Sequence, residues 1–190
     1  PTTFVPAAEN IPVPDNYVLG PGDKIKVEIY GASTHTQSQF VTRSGTITIP
    51  RLGPVVVSGL TLKEARAFVT KKVSVGLIGN EVFLTLGQLR SINIYILGAA
   101  YQPGAYTVSS LATLTNALFV SGGVNEGGSL RNIQLKNQGK IIGTLDLYDL
   151  ILKGDTSGDS RLKEGDVIFI PFLDKRARTD GFFNNPGLCE

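Results

Sequence analysis

The chain has 190 residues, of which 42% are hydrophobic and 18% are charged, and its formal net charge is +2. These values are typical of folded domains and exclude a disordered chain, and so small a net charge predicts neither nucleic acid nor an anionic membrane surface as a partner. The 22 glycines and 10 prolines lie between short apolar runs and indicate strands joined by tight turns.

The first half of the chain is predicted to form a small sheet with one helix. Residues 1–16 lack periodicity and are predicted to be an extended arm. Apolar residues that alternate with polar ones, or that lie beside turn signals, predict strands over residues 24–30, 39–43, 46–49, 55–57, 81–86 and 92–97. Ser44-Gly45 lies between two of these runs and predicts a hairpin that ends at Pro50.

Apolar residues at helical spacing predict a helix over residues 62–75. Thr61 and Glu64 have the T-x-x-E pattern of a capping box at its start, in which each side chain bonds the backbone of the other residue. Gly76 and Gly79 are expected to end this helix.

The second half repeats this mixture of elements. Helices are predicted over 111–120 and 146–153, followed by glycines that end them. Strands are predicted over residues 105–108, 132–136, 140–145 and 167–170, with a hairpin turn at Gln138-Gly139. Residues 174–190 are predicted to be a tail or linker.

Two short repeats suggest that the halves share a plan. The pattern T-L-x-x-A occurs at 61–65 and 113–117, where each copy opens a predicted helix, and G-D-x-I occurs at 22–25 and 165–168, where each copy opens a predicted strand. The sequence therefore predicts an α+β chain of two domains with a boundary near Arg90.

The ends of the chain carry few signals. The single cysteine, Cys189, cannot form a disulfide within the chain, so no disulfide framework is expected. The sequence starts at Pro1 and has no methionine, which indicates a processed or excised form of a longer protein. No apolar run approaches the roughly 20 residues that a membrane-spanning helix needs, so any membrane contact is expected in segments absent from this chain.

A series of short motifs over residues 14–173 resembles the bacterial polysaccharide export protein family. Those that resemble its polysaccharide export domain are YVLGPGDKI at 17–25, SGTITIP at 44–50, LGPV at 52–55 and GLTLKEA at 59–65. Those that resemble the soluble-ligand-binding β-grasp (SLBB) domain, its usual neighbour, lie at 96–98, 102–106, 113–118, 121–123, 146–148, 154–155 and 162–171. The resemblance implies a small mixed-sheet export domain over 17–89 and a β-grasp SLBB domain over 90–173.

The motif residues are expected to have structural roles. In the first motif, proline fixes φ, glycine permits positive φ and aspartate can accept backbone N–H bonds, which is the chemistry of a turn that aims the next strand. The residues assigned to such roles are Gly20, Pro21, Gly22, Asp23, Gly45, Pro50, Gly53, Thr61, Leu62, Ala65, Gly98, Pro103, Gly104, Gly122, Gly123, Gly165, Asp166 and Pro171.

The resemblance implies a Wza-like exporter. Members of the family form homo-oligomeric rings whose stacked periplasmic domains surround a water-filled lumen for capsular polysaccharide or exopolysaccharide, and they work with an inner-membrane polysaccharide copolymerase. The chain is then expected in the periplasm, associated with the outer membrane through segments that it lacks. The family's lipidated N-terminal cysteine and C-terminal amphipathic helix are not found in it, so we expect either a fragment of a longer exporter or a periplasmic accessory protein.

No motif predicts an enzyme, a metal or a cofactor. Ser121-Gly122-Gly123 follows a helix and lacks the lysine of a phosphate loop, so it is interpreted as a helix end. The four residues at calcium-loop offsets lack the loop's glycine and its final glutamate, and they are interpreted as a solvated loop: Asp155, Ser157, Asp159 and Asp166. His35 is the one histidine and cannot by itself build a zinc site or a catalytic triad with an identified serine.

Two alternatives in carbohydrate chemistry remain open. Asp146 and Asp149 share a helix face and could form a hydrolase pair, although capping and solvation are the interpretation that we prefer. The tyrosines could stack on sugars in a stand-alone periplasmic carbohydrate- or cell-wall-binding module, although packing is their usual role; they are Tyr17, Tyr30, Tyr95, Tyr101, Tyr106 and Tyr148.

Overall fold

A computed structural model of the protein describes residues 13–31, 34–173, 177–178 and 188–189. The chain divides between Ser91 and Ile92 into two compact units, which we call the N-terminal unit and the C-terminal unit. Each combines helix with small sheets, so the predicted α+β fold class is confirmed. The predicted arm over 1–16 and tail over 174–190 lie largely outside the described residues.

The described part of the N-terminal unit is built on two small sheets and a helix. Its elements are β1 (Lys24–Tyr30), β2 (His35–Phe40), β3 (Thr46–Ile49), β4 (Gly53–Val56), α1 (Leu62–Gly76) and β5 (Glu81–Gln88). The order of the larger sheet is β2-β1-β5, with β1 antiparallel to both neighbours, and β3 pairs with β4. The alternation predicted for β1 buries Ile25, Val27 and Ile29, and the α1 stripe buries Leu62, Ala65, Val69 and Val73.

The hairpin predicted around Ser44-Gly45 is wrong. β2 ends at Phe40 and pairs with β1, and β3 pairs with the strand that follows it. The Gln39 side chain, and not the β2 backbone, forms hydrogen bonds with the backbone of Thr48 in β3. Its Nε2 donates to the Thr48 carbonyl at 2.6 Å, and its Oε1 accepts from the Thr48 amide at 2.8 Å. A turn signal specifies where the chain reverses, but the buried residues of β1 decided which ladder forms.

The C-terminal unit is a five-stranded sheet with helices, as expected of a β-grasp fold. Its elements are β6 (Ser91–Gly98), β7 (Gly104–Ser109), α2 (Leu114–Val120), β8 (Ile133–Asn137), β9 (Lys140–Leu145), α3 (Leu147–Lys153) and β10 (Val167–Ile170). The sheet order is β7-β6-β10-β8-β9, in which β6 and β10 are parallel and β8 is antiparallel to β10 and β9. A short pair follows, formed by β11 (Ala177–Arg178) and β12 (Leu188–Cys189).

Local signals position most of these elements. The hairpin predicted at Gln138-Gly139 is confirmed, and both residues have the positive φ of a primed turn. α2 begins three residues later than predicted because Thr113 caps it: its side chain accepts from the Asn116 amide, and the Asn116 side chain accepts from Thr113. One face of the sheet and the helices share a core that includes Ile94, Ile96, Leu114, Leu118, Ile133 and Ile168.

Candidate functional site

The Gly20-Pro21-Gly22-Asp23 motif places a carboxylate inside the N-terminal unit. Asp23 is fully buried, and its Oδ2 accepts a hydrogen bond from the Gly20 amide at 2.9 Å, which closes the turn before β1. Gly22 has a φ of +93°, a conformation that glycine adopts without strain. The Tyr17 hydroxyl donates to Asp23 Oδ1 at 2.7 Å. The motif is thus a turn, and it also buries an acid.

Arg90 supplies the charge that compensates this acid. Its Nη1 lies 2.7 Å from Asp23 Oδ2, and its backbone amide donates to Asp23 Oδ1 at 2.9 Å. Nη1 also donates to the Tyr17 hydroxyl at 2.9 Å, and the guanidinium lies 5.6 Å from the centroid of that ring. We call Asp23, Arg90 and Tyr17 the Asp23 clamp. Because a buried carboxylate is costly without a partner, the clamp makes this turn dependent on a residue at the far end of the unit.

Asp166 occupies the equivalent position in the C-terminal unit. It is fully buried, and its Oδ2 accepts from the Lys163 amide at 2.8 Å, three residues earlier, as Asp23 accepts from Gly20. Its Oδ1 accepts from Asn137 Nδ2 at 2.6 Å. The repeated G-D-x-I pattern therefore marks the same kind of turn in both units, with a guanidinium partner in one and an amide partner in the other.

The remaining motif residues lie at turns, helix starts and strand ends. Gly98 has a φ of +83°, and a Cβ there would overlap the carbonyl oxygen of Ile170. Thr61 and Glu64 form the predicted capping box at the start of α1, whose first turn contains Leu62 and Ala65. Turns with positive φ contain Gly45, Gly53, Gly122, Gly123 and Gly165, while Pro50 and Pro171 follow strands and Pro103-Gly104 leads into β7.

The acids considered for calcium binding accept hydrogen bonds from backbone amides. Asp155 Oδ1 accepts from the Ser157 amide at 2.9 Å, and this hydrogen bond lowers the pKa of Asp155. Asp159 Oδ1 accepts from the Thr115 amide at 2.8 Å, and Asp166 is committed to its own turn. Among the described residues, no group of three or more His, Cys, Asp or Glu side chains is placed to hold a metal ion.

The acids considered for hydrolysis have equally local partners. Asp146 is the N-cap of α3 and accepts from the amides of Tyr148 and Asp149 at 2.8 and 3.3 Å. Asp149 pairs with Lys153 at 2.6 Å, which raises the pKa of that lysine. His35 begins β2 in an exposed position. Asp146 and Asp149 thus serve as the cap and as one half of a surface ion pair of α3.

The exposed face of the N-terminal sheet combines charged and aromatic side chains. Lys26 and Glu28 form an ion pair at 2.7 Å, and the hydrogen bond that Lys26 donates to the Glu28 carboxylate raises the pKa of Lys26. Lys24 Nζ lies 5.7 Å from the centroid of the Phe40 ring on β2. Further along, Tyr30 and Phe83 meet edge to face at 5.6 Å.

The exposed face of the C-terminal sheet is more apolar. Tyr95 and Leu97 on β6 are 46% and 42% exposed, and the parallel register places them opposite Val167 and Phe169 on β10. Lys136 Nζ lies 4.2 Å from the centroid of the Phe169 ring. Of the tyrosines considered for sugar stacking, Tyr17 is buried in the clamp, whereas Tyr30, Tyr95 and Tyr101 are exposed.

Sequence reasoning missed the role of Arg90 and, with it, the hydrogen bonds of Tyr17. Arg90 lies 67 residues from Asp23 in a connecting segment, and it belongs to none of the motifs. An isolated arginine beside a strand carries no local signal for a buried partner.

In the part of the chain that the structure describes, no helix is long and apolar enough to cross a membrane.

Comparison with known proteins gives two family matches and several curated relatives. The model for "Polysaccharide biosynthesis/export protein" matches residues 11–86, and the model for "SLBB domain" matches residues 93–170. The chain is 35% identical to the polysialic acid transport protein KpsD of Escherichia coli over 157 residues, which are 82% of this chain and 28% of that protein. It is 25% identical to the EPS I polysaccharide export outer membrane protein EpsA of Ralstonia solanacearum over 149 residues, which are 77% of this chain and 39% of that protein. The chain thus spans less than half the length of either relative.

Proposed function

The chain belongs to the bacterial polysaccharide export protein family, and from this premise we propose that it is the periplasmic portion of an outer-membrane polysaccharide exporter that forms part of an oligomeric translocation conduit. The observation that carries the proposal is the order of the two matches, an export domain and then an SLBB domain, which together extend from residue 11 to residue 170. The family is one of transport proteins rather than enzymes.

The geometry supports a scaffold role. Each unit orients a strand through a buried aspartate, Asp23 or Asp166, whose hydrogen bonds lie within its own unit. Groups held this firmly suit a rigid wall segment, and the acids considered for catalysis serve as caps and surface pairs. On this proposal the domains extend over 17–89 and 90–173, and copies of the full protein pack head to tail into a ring.

The location and partners are part of the same proposal. The chain lies in the periplasm, and the parent protein reaches the outer membrane through segments outside residues 1–190. An inner-membrane polysaccharide copolymerase delivers the cargo. The names of the two relatives, one a polysialic acid transport protein and the other an outer membrane export protein, support the polysaccharide cargo and the association with the outer membrane.

Deletion within the parent gene tests the function. A strain whose parent protein lacks residues 13–173 is expected to lose surface polysaccharide, measured with a capsule stain and by uronic or sialic acid assay of washed cells. Native mass spectrometry of the full-length protein is expected to show a closed oligomer. Unchanged surface polysaccharide in the deletion strain, with the shortened protein present at normal amount, would contradict the proposal.

The exposed face at Tyr95 and Phe169 favours one rival, a stand-alone carbohydrate- or cell-wall-binding module. Such a module is expected to bind oligosaccharide saturably at micromolar concentration with one subunit. A conduit is expected to bind its cargo weakly, because tight binding would stall transport. Calorimetric titration of the 190-residue chain therefore separates the two functions.

A further inference from the structure

Among the residues that the structure describes, strand β2 has a row of backbone groups without a pairing partner. Val41 N donates to the Asp23 carbonyl at 2.8 Å, so the N–H group of residue 41 faces the side on which β1 lies. The register continues regularly from Phe40 opposite Lys24 to His35 opposite Ile29. Because antiparallel pairs alternate between bonded and non-bonded positions, Thr36, Ser38 and Phe40 direct their N–H and C=O groups away from β1.

At the other strand edges of this unit, side chains form hydrogen bonds with the outward backbone groups. The same alternation points the Leu84 carbonyl of β5 outward, and Arg66 Nε donates to it at 3.0 Å. The free side of β3 is met by the Gln39 side chain, which bonds both backbone groups of Thr48. In the described part of the chain, the outward groups of β2 have no such cover. The strand also lacks the lysine, proline or bulge that commonly protects an edge.

The side chains of β2 are polar on both faces. Thr36 and Ser38 lie on the exposed face, and Gln37 and Gln39 lie on the opposite face with intermediate burial. Hydroxyl and amide side chains beside free backbone groups give closely spaced donors and acceptors. Such a surface matches the hydroxyl groups of a sugar chain better than it matches an apolar partner.

The charge near this edge is positive. Lys24 lies beside the Phe40 ring and forms no ion pair with any carboxylate of residues 13–31 and 34–173. Residues 1–91 contain nine Lys and Arg and six Asp and Glu, a net charge of +3, although the whole chain carries +2. This excess favours a ligand that carries negative charge.

We propose that β2, together with Lys24 and Phe40, is a contact edge for an acidic polysaccharide, and the inference rests on the proposed export function. The sugar hydroxyls bond the outward groups of Thr36, Ser38 and Phe40, a carboxylate of the sugar chain lies near Lys24, and the Phe40 ring packs against a sugar face. Each contact is exposed to water, so each is individually weak, as transport requires.

A second copy of the chain fits this edge less well. A head-to-tail ring built by sheet continuation would join β2 of one copy to the free side of β5 in the next. Arg66 already occupies the outward Leu84 carbonyl of β5. The edge is therefore better matched by a ligand than by sheet continuation.

Nuclear magnetic resonance titration of the ¹⁵N-labelled 190-residue chain tests the inference. The probe is a galacturonic acid oligomer, and a neutral maltose oligomer of equal length is the comparison. The acidic oligomer is expected to shift the amides of Thr36, Ser38 and Phe40 first, with weak affinity that falls as salt is added. Lys24→Gln is expected to weaken binding about fivefold, equivalent to about 1 kcal/mol.

Two matched variants complete the test. Lys136→Gln removes the other lysine that lies over a phenylalanine ring, Phe169 in the C-terminal unit, and is expected to leave binding unchanged. Ser38→Pro removes an outward N–H without removing a ladder bond, and is expected to weaken binding with the fold retained in the amide spectrum.

Any of these results with sugar would overturn the inference: equal binding of the neutral oligomer, equal weakening by Lys136→Gln, or amide shifts centred on Tyr95 and Phe169. Shifts of the β2 amides on raising protein concentration without sugar would show pairing with a second copy, and would also overturn it. If binding at β2 is absent while deletion of residues 13–173 abolishes export, the contact edge is wrong and the export function stands. If that deletion leaves export intact, the function itself is wrong.

Discussion

Arg90 Nη1 lies 2.7 Å from Asp23 Oδ2 across 67 residues of sequence, and so links the end of the N-terminal unit to the turn that opens its first strand. The aspartate is fully buried, whereas 29% of the arginine side chain is exposed. The clamp is thus a partly desolvated pair, in which the loss of one partner should cost more than the loss of a surface contact.

Asp23→Asn is expected to destabilise the N-terminal unit by about 3 kcal/mol, because it leaves the Arg90 guanidinium in a partly buried site without a carboxylate. The matched control is Asp15→Asn, which breaks the surface pair with Arg66 at 2.8 Å and is expected to cost less than about 1 kcal/mol. Urea unfolding followed by circular dichroism measures both. Equal losses of unfolding free energy in the two variants would show that the Asp23 clamp stabilises the unit no more than a surface ion pair does.

Asp166→Asn is expected to cost less than Asp23→Asn, about 1–2 kcal/mol, because its side-chain partner is the neutral amide of Asn137. An asparagine keeps one acceptor for the two donors at this turn, and no buried cation is stranded. The same urea experiment gives the comparison. A loss as large as that of Asp23→Asn would mean that burial of the acid, and not its partner, sets the cost.

The two capping boxes are expected to respond differently to acid. The backbone and side chain of Thr61 donate to Glu64, which holds the pKa of Glu64 below its ordinary value of 4.5. Since the folded pKa is the lower one, the contribution of Glu64 is complete above pH 4.5 and is lost as the pH falls through the folded pKa. In α2 the corresponding residue is Asn116, which does not titrate.

The destabilisation caused by Thr61→Ala is therefore expected to shrink as the pH is lowered from neutral to about 3, whereas that of Thr113→Ala is expected to stay near 1 kcal/mol. Urea unfolding of both variants and the unsubstituted chain at each pH measures this difference. A parallel pH dependence of the two variants would contradict the assignment to Glu64.

Gly98→Ala is expected to destabilise the C-terminal unit by more than about 2 kcal/mol, because the residue has positive φ and its Cβ would overlap the Ile170 carbonyl. Gly104→Ala is the control, since nothing lies within 4 Å of the position of its Cβ and its φ is not positive. The control is expected to change stability by less than about 1 kcal/mol. Thermal unfolding of both variants provides the measurement, and similar midpoints would count against a packing role for Gly98.

The sequence by itself determined the parts of this protein whose causes are local. The capping box at Thr61, the primed turn at Gln138-Gly139 and the alternation of β1 depend on residues within a few positions of one another, so they are legible without a fold. The order of the motifs was sufficient for the family. The burial of Asp166 could not be predicted from the sequence, since its G-D-x-I repeat indicated only a turn.

Only the tertiary structure decided which distant groups meet. It paired β2 with β1 in place of the predicted hairpin and brought Arg90 to Asp23. Within the described ranges it also left the edge of β2 uncovered, while Arg66 covered part of β5. Each of these depends on loop closure and burial summed over a whole unit, and many partners of similar chemistry are available in the sequence. A buried charge must find one of them, but which one depends on the packed chain.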